Sequence, residues 1–425
     1  MASAETTFLK EIYLRGLDGV QPAVLLKKCL HRHEGKLYCH NTRIPASRGG
    51  RNILAGSGKA ALNMAKALLP YLPGNTEKAP LIVPSGTPGG EYPLLPGDHP
   101  LPGANSLRAG KAVLRLLHSA GPSDTLYYVL TGGSSSLLEY PLPGISREEM
   151  RNATEHFLAK GLSIREINFL RARLSRVKGG RLAAECKADI HVFVLSDVMG
   201  NDMCSIGSGP FYAYPEGRFD CGELLREYGL DTALPPHVLK ALRENRPPQP
   251  PREVPHYLCG SNIDLLGALS RALKARDIRT LVFPESLFGE AVKAGRMIAD
   301  MIRHYSGPLP IAMIFGGETT VTLGSGPGKG GRSQETALAA LEALGDRKGW
   351  ALLCAGSDGI DGNSDAAGAA VDGSVWKKAA EKGLSPGACL TAHDSYTFHR
   401  HCGSLIRCGH TGTNVNDIAV ALLTG

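Results

Sequence analysis

The chain has 425 residues, 43% hydrophobic and 20% charged, the balance of a soluble globular protein and too long for one comfortable core. Its formal net charge of +7 is interleaved with acids rather than gathered into a basic stripe, which favours anionic small molecules over nucleic acid. No run approaches the roughly 18 apolar residues of a membrane span, and ten scattered cysteines form no disulfide framework, so a reducing cytoplasm is the expected location.

In chain order, "MASAETTFLKEIYLRGL" predicts an amphipathic helix of the mature fold, since it lacks the apolar core of a signal peptide. "NILAG" (52–56) predicts a strand leading to a helix around 60–72, with Ala61, Met64, Ala65, Leu68 and Leu72 on one face. A strand at 79–86, a helix through "ANSLRAGKAVLRLLHSA" and a strand at 125–133 follow. Two more helices come next, the second opened by Ser163 and Glu166 in capping-box spacing, and its basic run is read as helical over 164–181. The next strand is 189–197. Five prolines in "NRPPQPPREVP" (245–255) end both helix and strand and place a domain boundary between 1–245 and 256–425. Beyond it come helix 262–276, strand 278–283, helix 289–304, strand 310–316, helix 333–344 and strand 350–355. Residues 388–425 stay unassigned. Alternating strands and helices imply an α/β protein of two α/β domains with mostly parallel sheets.

Polar, glycine-rich clusters follow strand after strand: "GSGK" (56–59), "TGGSSS" (131–136), "SDVMGND" (196–202), "GGETT" (316–320) and "GSDGIDGNSD" (356–365). Ligands in open α/β sheets sit beyond the carboxyl ends of the strands, so together these loops predict a substrate cleft. Gly56-x-Gly58-x-x-Ala61 meets the loose dinucleotide pattern, but the next strand ends in Ser85 rather than an acid for the ribose. It is not a phosphate-binding Walker loop either, with Ile53 and Ala60 at two required positions. What remains is a tight turn presenting Lys59 at a helix N-terminus, which favours anions, or a solvated lysine. Asp197 and Asp202 near a strand end suit Mg²⁺ or acceptance of a substrate proton; loop capping is the plainer alternative. The glycine loop 324–335 carries Lys329 and Arg332, suited to covering a transferring phosphoryl group, with Ser333 as the expected cap of the following helix. Asp358, Asp361 and Asp365 resemble half a calcium loop, but Ala369 stands where its glutamate belongs. Arg171 and Lys178, seven apart, are placed on one helical face. Two groups, Cys29, His31, His33, Cys39, His40 and His399, His401, Cys402, Cys408, His410, lack the paired spacing of a zinc motif. No G-x-S-x-G occurs, so the serines of "GGSSS" make no nucleophile elbow.

Taken together, "GSGKAALNMAKAL", "PGDHPLPGANSLRAG", "LSIREINFLRARLSRVKGGRLA", "LSDVMGND", "GGETTVTLGSGPGKGGRSQETALA", "GSDGIDGNSDAAGA" and "TGTNVNDIAVALL" resemble the class II glycerate 2-kinases, whose C-terminal half is called the MOFRL domain. The resemblance runs over almost the whole chain. It implies a larger Rossmann-like N-terminal domain (three-layer α/β/α), a smaller α/β domain, and an active site in the cleft between them. It also implies Mg-ATP-dependent phosphorylation of D-glycerate to 2-phosphoglycerate. Lys59 matches the family's active-site lysine, Arg332 its C-terminal loop arginine, Asp197 and Asp202 its acidic strand-end motif, and Glu318 its "GGET". The sequence departs from the family pattern at Thr131 in "LTGGSSSLL", at Arg171-Ala172-Arg173 and at Asn201. These departures bear on substrate scope and metal ligation.

The expectation is therefore a glycerate 2-kinase using ATP and Mg²⁺. Its catalytic groups are Lys59, Arg332, Asp197 and Asp202, the two aspartates also holding the metal. Gly58, Gly132, Gly133, Ser134, Ser135, Ser136, Arg171, Lys178, Glu318, Lys329 and Asp358 bind substrate or nucleotide. No nucleic acid or membrane partner is expected, and homo-oligomerisation is left open. The rivals are an NAD(P)H-dependent hydroxypyruvate reductase and a non-catalytic phosphosugar-binding protein.

Overall fold

Apolar runs that end in glycine turns pair into sheets, as their patterning requires. The computed structural model describes residues 3–424 except 48, 216, 250–251 and 325. It divides into two units: Leu25–Cys259, and the residues up to Val24 together with those from Gly260 onward.

The larger unit begins with a short antiparallel meander, β1 (Leu30–His33), β2 (Lys36–Cys39) and β3 (Thr42–Ile44). Its main sheet contains β4 (Asn52–Ser57), β5 (Glu77–Pro84), β6 (Leu94–Gly97), β7 (Thr125–Thr131), β8 (Asp189–Leu195) and β9 (His256–Gly260), in the order β6-β5-β4-β7-β8-β9. The pairs β4–β5, β4–β7, β5–β6 and β7–β8 are parallel. Counted from β4, this is the 3-2-1-4-5-6 order of the Rossmann fold, and the chain reverses direction of travel between β4 and β7. Every residue of β4 and β7 is buried, as expected of central strands covered on both faces.

The helix opened by Ser163 forms with its capping box: Ser163 N–H donates to Glu166 at 2.7 Å. It stops at Ala172, however, rather than at 181. Residues 174–176 instead run extended beside 140–142, with Leu142 N–H donating to Leu174 O at 2.8 Å and Arg176 N–H to Tyr140 O at 2.7 Å.

The smaller unit's sheet holds β10 (Arg279–Leu287), β11 (Ile311–Gly317), β12 (Trp350–Gly356), β13 (Gly368–Asp372), β14 (Leu405–Ile406) and β15 (Asp417–Leu423), in the order β10-β11-β15-β12-β13-β14. Among the described residues only β10–β11 pair in parallel; β15 enters antiparallel between β11 and β12. The expectation of a mostly parallel sheet is thus corrected here by β13, for which no strand was predicted, and by β14 and β15 in the stretch that sequence left unassigned. The domain limits are corrected too, from 1–245 and 256–425 to the division above. The first helix, Ala4–Asp18, belongs with the smaller unit because its apolar face packs there: Tyr13 OH donates to Gly356 O at 2.6 Å, and a Cβ on Gly16 would lie 2.5 Å from the Leu269 side chain.

Candidate active site

In the larger unit, the turns after β4 and β7 flank the point where strand order reverses, the place where open α/β sheets bind ligands. They are locked together. Lys59 N–H donates to Gly132 O at 2.8 Å, and Ala60 N–H donates to Thr131 Oγ1 at 3.1 Å. Ser57 Oγ and Ser134 Oγ share a hydrogen bond of 2.5 Å. Gly58 has φ +127, and a Cβ there would sit 2.1 Å from Thr131 Oγ1 and 2.4 Å from Thr131 O, so only glycine permits this approach. Gly133 has φ +80, and its open side faces the Lys59 and His99 side chains, 3.1 and 3.4 Å from where a Cβ would be. Lys59 thus lies along the glycine-serine loop, half-buried.

The three serines are not equivalent. Ser134 and Ser136 are buried, and the Ser136 hydroxyl donates to Gly133 O at 3.1 Å, so both hydroxyls stabilise the loop itself. Ser135 is half-buried, and its carbonyl accepts from Lys178 Nζ at 2.7 Å and Arg171 NH2 at 3.0 Å. Lys178 was expected to contact ligand. Its side chain is only 1% exposed and faces Glu139 at 3.3 Å, which corrects that expectation: it holds the serine loop from behind. Arg171, 3.5 Å from the same carboxylate, does likewise. Burial pulls the Lys178 ammonium down to about 8, against the attraction of Glu139. Glu139, which sequence reasoning missed, also accepts from Ser175 Oγ at 2.5 Å.

Asp197 follows β8 and is half-buried. Asp202 is gripped by Arg218, whose NH2 and NH1 donate at 3.0 and 3.3 Å, and by Ser205 Oγ at 2.8 Å. Burial works to raise its pKa, but these bonds and the Arg218 charge outweigh it and hold the carboxyl below its usual range. Both Asp202 oxygens are engaged, so it fits a bound cation poorly. This corrects the expectation of Asp202 as a metal ligand and leaves Asp197 as the carboxylate expected to hold Mg²⁺.

The smaller unit gathers a second cluster where β11 and β12 end and β15 begins. Arg332, at the start of the helix Arg332–Leu344, donates Nε–H to Asp417 at 2.5 Å and pairs through NH1 with Glu318 at 2.9 Å. Asp361, 3% exposed, accepts from Ser333 N–H at 3.1 Å and Gln334 N–H at 2.9 Å. It therefore caps this helix from another loop, in place of the expected Ser333. Burial, reinforced by nearby Asp417, raises the Asp361 carboxyl to about 7. Asp358 accepts Ile360 N–H at 3.1 Å, and exposed Lys329 lies 4.1 Å over the Tyr396 ring. Asp417, another residue sequence reasoning missed, sits in "TGTNVND", a motif whose position in the fold was unassigned. His399 is fully buried between Ser404 and Gln334 O and is driven down to about 4 by burial.

Two family models match: one described as a domain of unknown function (DUF4147) over residues 8–243, and the MOFRL family over residues 311–417. The D-glycerate 2-kinase of Thermotoga maritima is 37% identical, covering 89% of this chain and 92% of its own. The chain belongs to the MOFRL-domain glycerate kinase family. A crystal structure of glycerate kinase from Thermotoga maritima superposes with a TM-score of 0.82 at 34% identity, covering 99% of this chain and all of that one. Another relative, from Agrobacterium vitis, 34% identical and covering 89% of each chain, carries a hydroxypyruvate reductase name. Among the described residues no helix of this family member is long and apolar enough to cross a membrane.

Proposed function

We propose that this protein transfers the γ-phosphoryl group of ATP to the 2-hydroxyl of D-glycerate, giving 2-phospho-D-glycerate and ADP. The observation that carries this reading is Lys59, set against the glycine-serine loop at the strand-order reversal of a Rossmann-ordered sheet. In these roles Lys59 holds the glycerate carboxylate, and backbone groups of 132–136 cradle phosphate oxygens. Asp197 would hold the Mg²⁺ that neutralises the nucleotide phosphates, or in the alternative role accept the proton of the attacking hydroxyl. Arg332 of the smaller unit offsets charge as the phosphoryl group moves. Glu318 and Asp417 orient its guanidinium, while Lys329 and Asp358 are assigned to the nucleotide. Phosphoryl transfer asks little covalent chemistry of the protein, in keeping with a site built from positioning groups. All ten cysteines are unpaired, which suits a cytoplasmic setting.

The reductase reading draws on the names of two relatives, both from Agrobacterium vitis. Against it, β5 ends at Pro84 with Ser85 beyond, while Glu77 stands at the opposite end of that strand, leaving no acid for a dinucleotide ribose. ADP release is measured from Mg-ATP with D-glycerate, L-glycerate or hydroxypyruvate, and the product is typed by whether enolase accepts it directly. D-glycerate-dependent ADP with an enolase-competent product is expected. NADH oxidation with hydroxypyruvate and no ADP would replace the kinase reading.

A further inference from the structure

Cys29 ends the helix Pro22–Cys29, Cys39 ends β2, and Cys259 lies in β9. Their sulfur atoms all lie within 4.8 Å of one another, and the three residues are 3%, 1% and 6% exposed. All three belong to the larger unit, whose limits are Leu25 and Cys259, so the thiols join its opening segment to its last strand.

A single buried cysteine is explained by packing, since the thiol behaves as a small hydrophobe. Three thiols converging from three elements form the donor set of a thiophilic ion. Zinc–sulfur bonds of about 2.3 Å in a tetrahedron set the sulfurs about 3.8 Å apart, so the trio needs to contract by roughly an ångström or less. A fourth donor has to come from a neighbour: His40 adjoins Cys39, but its exposed ring lies outside the set of atoms within 4.8 Å of one another, so it reaches an ion only by moving inward as the site closes. His40 follows Cys39 with φ 50, and its N–H donates to Cys29 O at 2.7 Å. Its ring Nε2 lies 3.2 Å from the carbonyl of Leu258, next to Cys259. A carbonyl only accepts, so Nε2 carries the proton and Nδ1 keeps a lone pair. That is how metal-ligating histidines are commonly held. The contacts competing for the thiols are weak: Cys29 to Leu26 O at 3.6 Å and Cys259 to Tyr257 O at 3.3 Å.

We propose that Cys29, Cys39 and Cys259, with His40 as the fourth ligand, form a structural zinc site that clasps the two ends of the larger unit. Four protein ligands make it a closed site with no catalytic role. Its ligands are too widely separated in sequence for a spacing motif to mark them.

The full-length protein, purified under reducing conditions without chelator, is assayed for metal content, and its apo form is titrated with Co²⁺. The expected result is one zinc per chain, and a thiolate-to-cobalt charge-transfer band that saturates at one equivalent and is displaced by Zn²⁺. Metal binding should be lost in Cys259→Ser, weakened at least tenfold in His40→Ala, and kept in Cys408→Ser, which changes an exposed thiol. The cobalt titration of the unmutated chain is decisive even where a variant misfolds. Absence of the band together with substoichiometric zinc overturns the proposal, as does an undiminished band in Cys259→Ser.

Discussion

Replacing Glu139 by glutamine removes the anion that buried Lys178 and half-buried Arg171 share behind the serine loop. Glu139 is 1% exposed and lies 3.3 Å from Lys178 and 3.5 Å from Arg171. Burial pulls the Lys178 pKa from 10.5 to about 8, with Glu139 opposing. At about 1.4 kcal/mol per pH unit, carrying that ammonium at pH 7 costs the fold about 3 kcal/mol. Without the carboxylate the pKa falls further, and in the limit the lysine is neutral at pH 7. The cost is then the full span from 10.5 to 7, about 5 kcal/mol. Lys178 therefore adds about 1–2 kcal/mol to a total loss of about 3–5 kcal/mol for a broken buried pair. The pH dependence separates the two parts. Because the folded pKa is depressed, the unfolded chain binds more protons between about 8 and 10.5, so wild-type stability rises with pH through that window. In the variant the rise starts at lower pH. By pH 9 the lysine is neutral in both, so the gap should shrink by about 1–2 kcal/mol between pH 7 and 9. Both tryptophans, Trp350 and Trp376, lie in the smaller unit, so fluorescence reports the wrong one. Hydrogen exchange of the amides of β7 reads the right one. An equal gap at pH 7 and 9 would refute a charged, Glu139-supported Lys178.

Arg332→Ala should cut D-glycerate-dependent ADP release by about 10²–10³-fold while nucleotide affinity, titrated separately, changes less than about tenfold; near-normal turnover would remove Arg332 from the reaction. Gly58→Ala should cost about 3 kcal/mol or more, because its Cβ meets Thr131 backbone at 2.4 Å, and a wild-type melting profile would contradict that crowding. Gly133→Ala, whose Cβ meets the flexible Lys59 side chain at 3.1 Å, should lose about 1 kcal/mol of stability but most of its activity, checked by melting and turnover on one preparation. In the smaller unit, burial and then Asp417 raise the Asp361 carboxyl from 3.8 to about 7. The fold keeps a proton that the unfolded chain releases, so stability falls as pH rises through that window. Asp361→Asn has no proton to lose and should gain about 4 kcal/mol on wild type between pH 4 and 8, read by tryptophan fluorescence; a constant difference would contradict the raised pKa.

Much of the fold was legible because its signals are local. The apolar runs of β4, β7, β8, β11 and β12 end in glycine turns, and the Ser163–Glu166 capping box lies within a single turn of chain. What was hidden depends on distant partners. "DIAVALL" (417–423) lies in the stretch left unassigned, and only its pairing with β11 and β12 makes it a central antiparallel strand. The first helix shows an apolar face, yet nothing in that face says that Leu265 and Leu269 will cover it. Continuing the helix through 173–178 satisfied periodicity, but the backbone of 140–142 offered competing hydrogen bonds.

The candidate site divides along the same physical line. A glycine required by geometry leaves a mark in sequence, because a turn such as Gly58 admits nothing else. A charged side chain leaves none until its burial is known. Lys178 and Lys59 read alike as basic residues near glycine-rich segments, and anion binding was expected of both. Folding separates them: Lys59 stays half-buried along the loop, whereas Lys178 is enclosed with Glu139. An ammonium bound to a carboxylate and two carbonyls has its donors committed and cannot also bind substrate. It fixes the carbonyl of Ser135, and through it the loop facing Lys59. The groups sequence did not mark, Glu139 for the serine loop and Asp417 for Arg332, and Asp361, which it marked only as part of a calcium-like loop, are thus carboxylates that orient the cations and the helix assigned to the chemistry. Precise placement in phosphoryl transfer is worth as much as the presence of the charge, so substitutions at these carboxylates should lower turnover without touching any ligand.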